Sequence, residues 1–547
     1  MEMQHGNLSI NSENIFPIIK KWMYSDKDIF VRELVSNACD AITKVKKLDA
    51  VGECELPEGY KPEIHVIVDD KEKTLSFIDN GLGMTADEVK KNITDIAFSG
   101  ATEFLEKYKD KADQDQIIGH FGLGFYSAFM VADQADIDTL SFQPGAEPVH
   151  WECDGNTEYD MGEGDWKEMG TKVTLHLNED SLEFANEYKV TEVLKKYCSF
   201  MPYNIYVSKA DAEPEYETID ESELRDDDEV IEHISVPAET EEMTKEDGTK
   251  EVVEKTPAKE QVKIRKRPVP VNDIHPLWTK QPSQCTDAEY KEFFIKVFQD
   301  YKEPLFWIHL NMDYPFNLKG ILYFPRINTE YESIEGKIKL YNNQVFIADN
   351  IKEVIPEYLL LLKGVIDCPD LPLNVSRSAL QNDGFVKKLR DYISKKLADK
   401  LTGMCKTDRE NYEKYWDDIS PFIKFGCIKD EKFSDRIMPH VLYKDIDDKF
   451  FTLNELLDKI NGVTKDEASA EDGSKVEVEA VDDQEKEPEK TTVYYVTDPL
   501  QQSQYINMFR NQGMDAVIMR HSINSAFNQF AIHIYGFFAR RSNKSLR

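Results

Sequence analysis

The chain has 547 residues, 41% hydrophobic and 31% charged, with 67 Lys and Arg against 103 Asp and Glu and a formal net charge of −36. That much apolar material excludes a wholly disordered chain and suits several packed cores. The acidity argues against a general nucleic-acid role, and no apolar run reaches the roughly 18–20 residues needed to span a bilayer.

The first predicted element is a helix capped at Ser25 or Asp26 and running to about Lys47 (SDKDIFVRELVSNACDAITKVKK). Phe30, Leu34, Ala38, Ala41 and Val45 share its apolar side. Strands follow in EIHVIVDD and TLSFIDN, which alternate at period two, and then in ADIDTL and TKVTLHL. A helix followed by mostly antiparallel strands predicts a two-layer α+β sandwich. From Asp211 to Gln261 there are 20 acidic and 5 basic residues, which reads as solvated linker or surface loop. The next block, from Lys263, mixes strands (PLFWIHL, KGILYFP, IKLYNNQVFI) with helices (DGFVKKLRDYISKKLADKL, NYEKYWDDI). A second acidic segment, Thr464–Lys490, has 11 acidic and 4 basic residues; the two segments together hold more than half of the net charge. TVYYV, a helix through QQSQYINMF, and DAVIM read as a β-α-β unit.

The eight cysteines are widely and irregularly spaced with no CxxC pair, and the start, MEMQHGNLSINSENIF, lacks a basic or apolar signal region. Both features predict reduced thiols in a cytoplasmic protein without a disulfide framework or zinc site.

Four signals carry chemistry. Glu33, Asn37 and Asp40 fall on one stripe of the first helix. Asn37 could give an oxygen to Mg²⁺ and Glu33 could deprotonate a water; an exposed polar stripe opposite a core face is the plainer alternative. Asp79-Asn80-Gly81-Leu82-Gly83-Met84-Thr85 follows a strand. Its glycines allow close backbone approach to a planar ligand and Asp79 offers an acceptor for an exocyclic amine, though Asp-Asn-Gly is also an ordinary turn. Gly119-His120-Phe121-Gly122-Leu123-Gly124 precedes a helix-compatible run, YSAFMVA, where free N–H groups can cradle phosphate. It matches neither the dinucleotide G-x-G-x-x-G nor the Walker A loop. Gly170-Thr171-Lys172-Val173 opens a strand and says little alone.

Together and in this order, the four signals resemble the ATP-binding fold shared by gyrase-type topoisomerases, sensor histidine kinases, MutL-type repair proteins and heat-shock protein 90 chaperones. FVRELVSNACDAI, DNGLGMT, IGHFGLGFYS and the later DLPLNVSRSALQ look most like the heat-shock protein 90 family, in its bacterial HtpG type, from about Asn7 to about Met519. The resemblance implies an α+β chain: an N-terminal two-layer sandwich of the gyrase, histidine kinase and MutL type, then an α/β middle domain. The expected division is an ATP-binding domain at 1–210 and an acidic linker at 211–262. A middle domain at 263–519 then carries the insertion 464–490, before an atypical tail at 520–547.

The resemblance also implies roles. Glu33 activates the attacking water, and Asn37 is the Mg²⁺ ligand through which the phosphates are held. Asp79 reads the adenine amine, with Gly83 and Thr171 assisting through water and Met84 walling the base. Asp40 and Asn92 line the ribose and phosphate side, and Gly119, Phe121, Gly122 and Gly124 cradle phosphate. Thr94 to Gly124 is a lid; Asn374, Arg377 and Gln381 belong to a loop of the second domain, with Arg377 meeting the γ-phosphate.

Two departures stand out. Phe98 replaces the family's lysine before Ser99-Gly100-Ala101, and the chain ends in RHSINSAFNQFAIHIYGFFARRSNKSLR, with five basic residues and no acidic one from Ala516 onward. That ending reads as a truncated, frame-shifted or divergent tail in place of a dimerisation domain, so the homodimer of the family is replaced here by an expected monomer. The implied function is an ATP-dependent, Mg²⁺-using cytoplasmic chaperone for unfolded or partly folded clients, with co-chaperones and with neither nucleic acid nor membrane as partner. The alternative is an ATP-binding scaffold with impaired turnover. A DNA motor would need a basic surface, and a kinase an acceptor histidine in a helical hairpin.

Overall fold

Helix α1 (Ile29–Ala50) buries 15 of its 22 residues, far more than one apolar face supplies. In the computed structural model the described residues are 26–95, 98, 100–107, 117–119, 122–156, 158–236, 239–244, 250–256, 259–326, 337–350, 354–373, 383–461, 492–535 and 538–541. They divide into two compact units, Met1–Pro276 with Asn343–Phe346, and the rest from Leu277.

The first unit has seven strands in one sheet: β1 (Glu63–Asp69), β2 (Thr74–Asp79), β3 (Ala132–Leu140), β4 (Val149–Cys153), β5 (Asp160–Glu163), β6 (Gly170–Leu177) and β7 (Asn204–Lys209). Their order is β5-β4-β3-β6-β2-β1-β7, and α1 lies on the sheet. Only the β1–β7 pair is parallel. This is the expected two-layer sandwich, because alternating Ile64, Val66, Val68 and Leu75, Phe77 turn one sheet face to the helix. Phe30 of α1 meets Phe77 and Phe184 edge-on, at 6.3 and 5.0 Å.

The helix starts later than the expected cap at Asp26; Ser25, the other candidate, lies outside the described residues. Asp26 accepts a hydrogen bond from the Asp28 N–H (3.1 Å) and ties down Lys196 (2.9 Å) and Tyr197 (3.1 Å), both in helix α2 (Glu187–Tyr197). Its carboxylate is therefore spent on packing two helices together. YSAFMVA is a single 3₁₀ stretch, Phe125–Met130, before the chain enters β3.

The segment 211–262, expected as linker, holds strands. They are β8 (Tyr216–Asp220), β9 (Val230–Val236), β10 (Glu239–Thr244), β11 (Lys250–Thr256) and β12 (Lys259–Arg265). β8, β9 and β12 form an antiparallel sheet with β12 in the centre, and β10 and β11 pair as a hairpin. Val262 and Ile264 are fully buried. The acids find partners in the basic run that follows them: Arg265–Glu229 (3.3 Å), Lys266–Glu215 (2.5 Å) and Arg267–Asp228 (2.6 Å). These three cations lie beyond Gln261, so a count that stops there leaves them out.

In the second unit β13 (Phe306–Met312), β14 (Leu318–Phe324), β15 (Lys337–Asn342), β16 (Val345–Asp349) and β17 (Lys363–Asp367) form a sheet of order β13-β14-β17-β15-β16. IKLYNNQVFI is thus two strands, turned at Asn343 (φ 52°) and Gln344 (φ 64°). Two long helices, α3 (Asp383–Thr407) and α4 (Arg409–Lys429), share one apolar core with it. A second sheet is built from β18 (Leu442–Asp445), β19 (Phe450–Thr452), β20 (Thr492–Val496), β21 (Ala516–Ile518) and β22 (Phe538–Arg541), in the order β19-β18-β21-β20-β22. β20 and β21 are parallel and joined through α5 (Ser503–Asn511), which is the predicted β-α-β unit.

The tail from residue 520, expected to be atypical, is part of this unit. Its helix α6 (Ile523–Tyr535) packs on α4, with Phe527 and Ala531 buried, and β22 adds to the sheet parallel to β20. Offsets of three and four put Asn524, Phe527, Asn528 and Ala531 on one inward face. Among the described residues no helix is long and apolar enough to cross a membrane.

Candidate functional site

Three neighbouring strands set a row of polar side chains under α1. Asp79, at the end of β2, stands opposite Thr171 of β6, which stands opposite Thr139 of β3. All three are buried. The Thr139 hydroxyl lies 2.9 Å from that of Thr171, reaches the Gly170 carbonyl at 3.0 Å and accepts the Met84 N–H at 3.0 Å. Sequence reasoning missed Thr139, although it falls in phase with the inward Ala135 and Ile137 of the same strand.

Burial pushes the Asp79 carboxyl up to about 7, and the Gly81 N–H, 2.9 Å from its Oδ1, offsets only part of that. Among the described residues that N–H is the only hydrogen-bond donor it has. Gly83 has φ +62° and runs against the Leu140 carbonyl with no room for a side chain, so the DNGLGMT loop can lie flat on β3. The Thr85/Glu88 capping box then starts the short helix Ala86–Val89. Asn92, half-buried, lies on the following turn beside Gly100.

The second group stands on α1. Every residue from Ile29 to Asp40 is buried except Asn37, so the exposed-stripe reading fails for Glu33 and Asp40, each 5% exposed. Glu33 Oε1 accepts two hydrogen bonds from the buried Arg32 guanidinium, at 3.0 and 2.8 Å. Its other oxygen faces Gly124, where a Cβ would sit 2.8 Å away. Asp40 accepts the N–H groups of Ile118 and Gly119, both at 2.7 Å. Its carboxylate thereby fixes the start of the glycine motif over the helix, a role that spacing alone does not suggest. Lys44, one turn on, has no signal in the sequence either: burial lowers its pKa against the pull of Asp40.

The two groups are joined where Gly81 packs against Ala41 and the Leu82 N–H meets the Ala41 carbonyl at 3.3 Å. Glu33, Asn37, Asp40, Gly119 and Gly124 thus gather on one side of α1, and Asp79, Gly83, Met84 and Thr171 at the sheet. Gly122, with φ +63°, abuts the backbone of Phe98. Phe121, the middle of the predicted lid (108–116), Asn374, Arg377 and Gln381 lie outside the described residues.

Residues 25–149 match the family model described as histidine kinase-, DNA gyrase B- and HSP90-like ATPase, and residues 183–517 match that of Hsp90 protein. Chaperone protein HtpG of Bacteroides thetaiotaomicron is 40% identical over 517 residues, which are 94% of this chain and 66% of the relative. HtpG of Porphyromonas gingivalis is 42% identical over 477 residues, 87% of this chain and 62% of the relative. The mitochondrial TNF receptor-associated protein 1 homolog of Dictyostelium discoideum is 30% identical over 430 residues, 78% of this chain and 52% of the relative. The chain spans just under two thirds, or less, of the length of these curated relatives.

Proposed function

The chain belongs to the Hsp90 family, and from that premise we propose that it binds and hydrolyses ATP to drive conformational cycling on unfolded or partly folded client proteins. The observation that carries this reading is Asp79: a buried carboxyl with a single internal donor, at the floor of a loop that lies flat for want of side chains. An adenine amine supplies the donor it lacks. Gly83 and Thr171 assist through water, with Thr139 orienting Thr171, and Met84 forms part of the wall.

The phosphates run toward α1 and the glycine motif, which Asp40 holds in place, with Asn92 alongside. Asn37 suits Mg²⁺, since its amide is the one exposed polar group on that stretch of helix and Mg²⁺ keeps most of its shell as water and phosphate oxygen. Bound there, the ion neutralises phosphate charge. Glu33 orients and deprotonates the attacking water. It acts from the side that faces Gly124, with Arg32 bonded to its Oε1. Arg377 supplies charge to the γ-phosphate, with Asn374 and Gln381 on the same loop. The same proposal includes a cytoplasmic, stress-linked role and co-chaperones.

Calorimetry and a turnover assay on two variants test it. Glu33→Ala should keep ATP affinity within a few-fold and lose hydrolysis. Asp79→Asn should lose binding of ATP and ADP alike, because one buried polar group left unpaired costs about 1–3 kcal/mol. Normal ATP binding by Asp79→Asn would show the pocket to be misassigned. Arg377→Ala should slow single-turnover hydrolysis while leaving ADP affinity unchanged.

A further inference from the structure

The second unit buries a lysine without a counter-ion. Lys424 of α4 is 6% exposed, and its ammonium donates to Asn524 Oδ1 at 2.7 Å. Among the described residues this is its one hydrogen bond, and no carboxylate lies within ion-pair distance. The rings of Trp416 and Phe527 flank it at 5.8 and 5.7 Å. An ammonium has three N–H donors, and one taken this far from water is ordinarily paired.

Lys424 lines a small cavity of about 30 Å³ that Trp416, Asp417, Arg520, His521 and Asn524 also line. Arg520 and His521 belong to the basic stretch that follows β21, in a chain of net charge −36. The cavity also meets the first turn of α6, where the Asn524 and Ser525 N–H groups already donate to the His521 and Ser522 carbonyls at 3.0 and 3.3 Å. We propose that this cavity is a binding site for a small oxyanion, a phosphate or carboxylate group, held by the Lys424 ammonium.

Each feature fits that ligand. The remaining donors of Lys424 point to an acceptor, and Arg520 adds positive potential in the lining. Burial of the ammonium between the Trp416 and Phe527 rings strengthens its attraction for an anion. The charged and titratable groups around Lys424 are Asp417 and Cys427 on α4, Lys444 on β18, and Arg520 and His521 beyond β21. Lys444 is occupied by Asp448 at 2.9 Å, and Asp417, exposed, is the only acid among them. Burial lowers the Lys424 amine to about 8, and a bound anion reverses that shift, so binding near pH 8 takes up protons.

The test is titration of the full chain with sodium phosphate at pH 8, by calorimetry in two buffers of different ionisation heat, with sodium acetate as competitor. One saturable site with proton uptake is expected, abolished in Lys424→Met and weakened about three- to tenfold in Arg520→Gln. Displacement by acetate would assign carboxylates to the site as well; acetate without effect would restrict it to phosphate. The absence of saturable heat, or binding that survives Lys424→Met, as binding at the nucleotide site would, overturns the proposal. If Lys424→Met does not fold, Arg520→Gln, on the exposed rim, decides: unchanged phosphate affinity in that folded variant overturns it.

Discussion

Two of the ionisable groups whose charge burial suppresses, one in each unit, are opposite in sign. Asp79 in the first unit is pushed up to about 7 and Lys424 in the second down to about 8, in both cases chiefly by burial. Their supports differ. Asp79 is backed by Gly81 two residues away and by neighbours fixed in β-sheet register. Lys424 is met by Asn524, 100 positions distant. A poised charge can therefore arise from a short motif or from the packing of remote segments, and only the first leaves a mark on the sequence.

Asp79→Asn should have the largest effect on this contrast. The folded value of Asp79, about 7, lies above the ordinary 3.8, so this carboxyl favours folding most below about pH 4, and its cost is complete above about pH 7. The amide removes that cost. Asp79→Asn should therefore melt several degrees higher than the parent at pH 8, with the gap closing toward pH 5, while losing at least tenfold in nucleotide affinity. A lower melting temperature at pH 8 would mean that Asp79 is not a stored cost but a structural support.

Asp40→Ala comes next. It strips the acceptor from the buried N–H of Ile118, at about 1–3 kcal/mol, and from the half-buried N–H of Gly119. Hydrogen exchange at those two amides should quicken by at least tenfold before any change appears at β1 or β7. Uniform acceleration across the sheet would assign Asp40 to global stability.

The two units should also respond oppositely to pH. An amine donor prefers the ionised Asp79, so ADP affinity should fall about tenfold per unit as pH drops below 7. Phosphate affinity at the Lys424 cavity should move the other way, falling as pH rises above 8. Parallel slopes, measured by calorimetry, would remove the distinction.

Thr139→Val has the smallest effect. It removes the hydroxyl that orders Thr171 and receives the Met84 N–H, worth about 1 kcal/mol. Nucleotide affinity should drop a few-fold without change in hydrolysis of bound ATP, read by single turnover.

Most elements and most of the candidate pocket are legible in local sequence. Period-two alternation marks β1, β2 and β6, and Glu33, Asn37, Asp40 and Asp79 stand out because helix pitch and turn chemistry act over fewer than ten residues. Long-range packing supplies the rest. Thr139 joins the site only through the register of β3 against β6. Asp40 becomes a clamp only once residues 118 and 119 are brought over α1. The acidic segment becomes a sheet through pairing of β8 and β9 with β12, whose Val262 and Ile264 are buried, and the basic tail becomes a packed helix and edge strand. In each case the partner is distant in the chain or on another strand, and side-chain pairing across that gap follows from packing geometry, which no local spacing encodes.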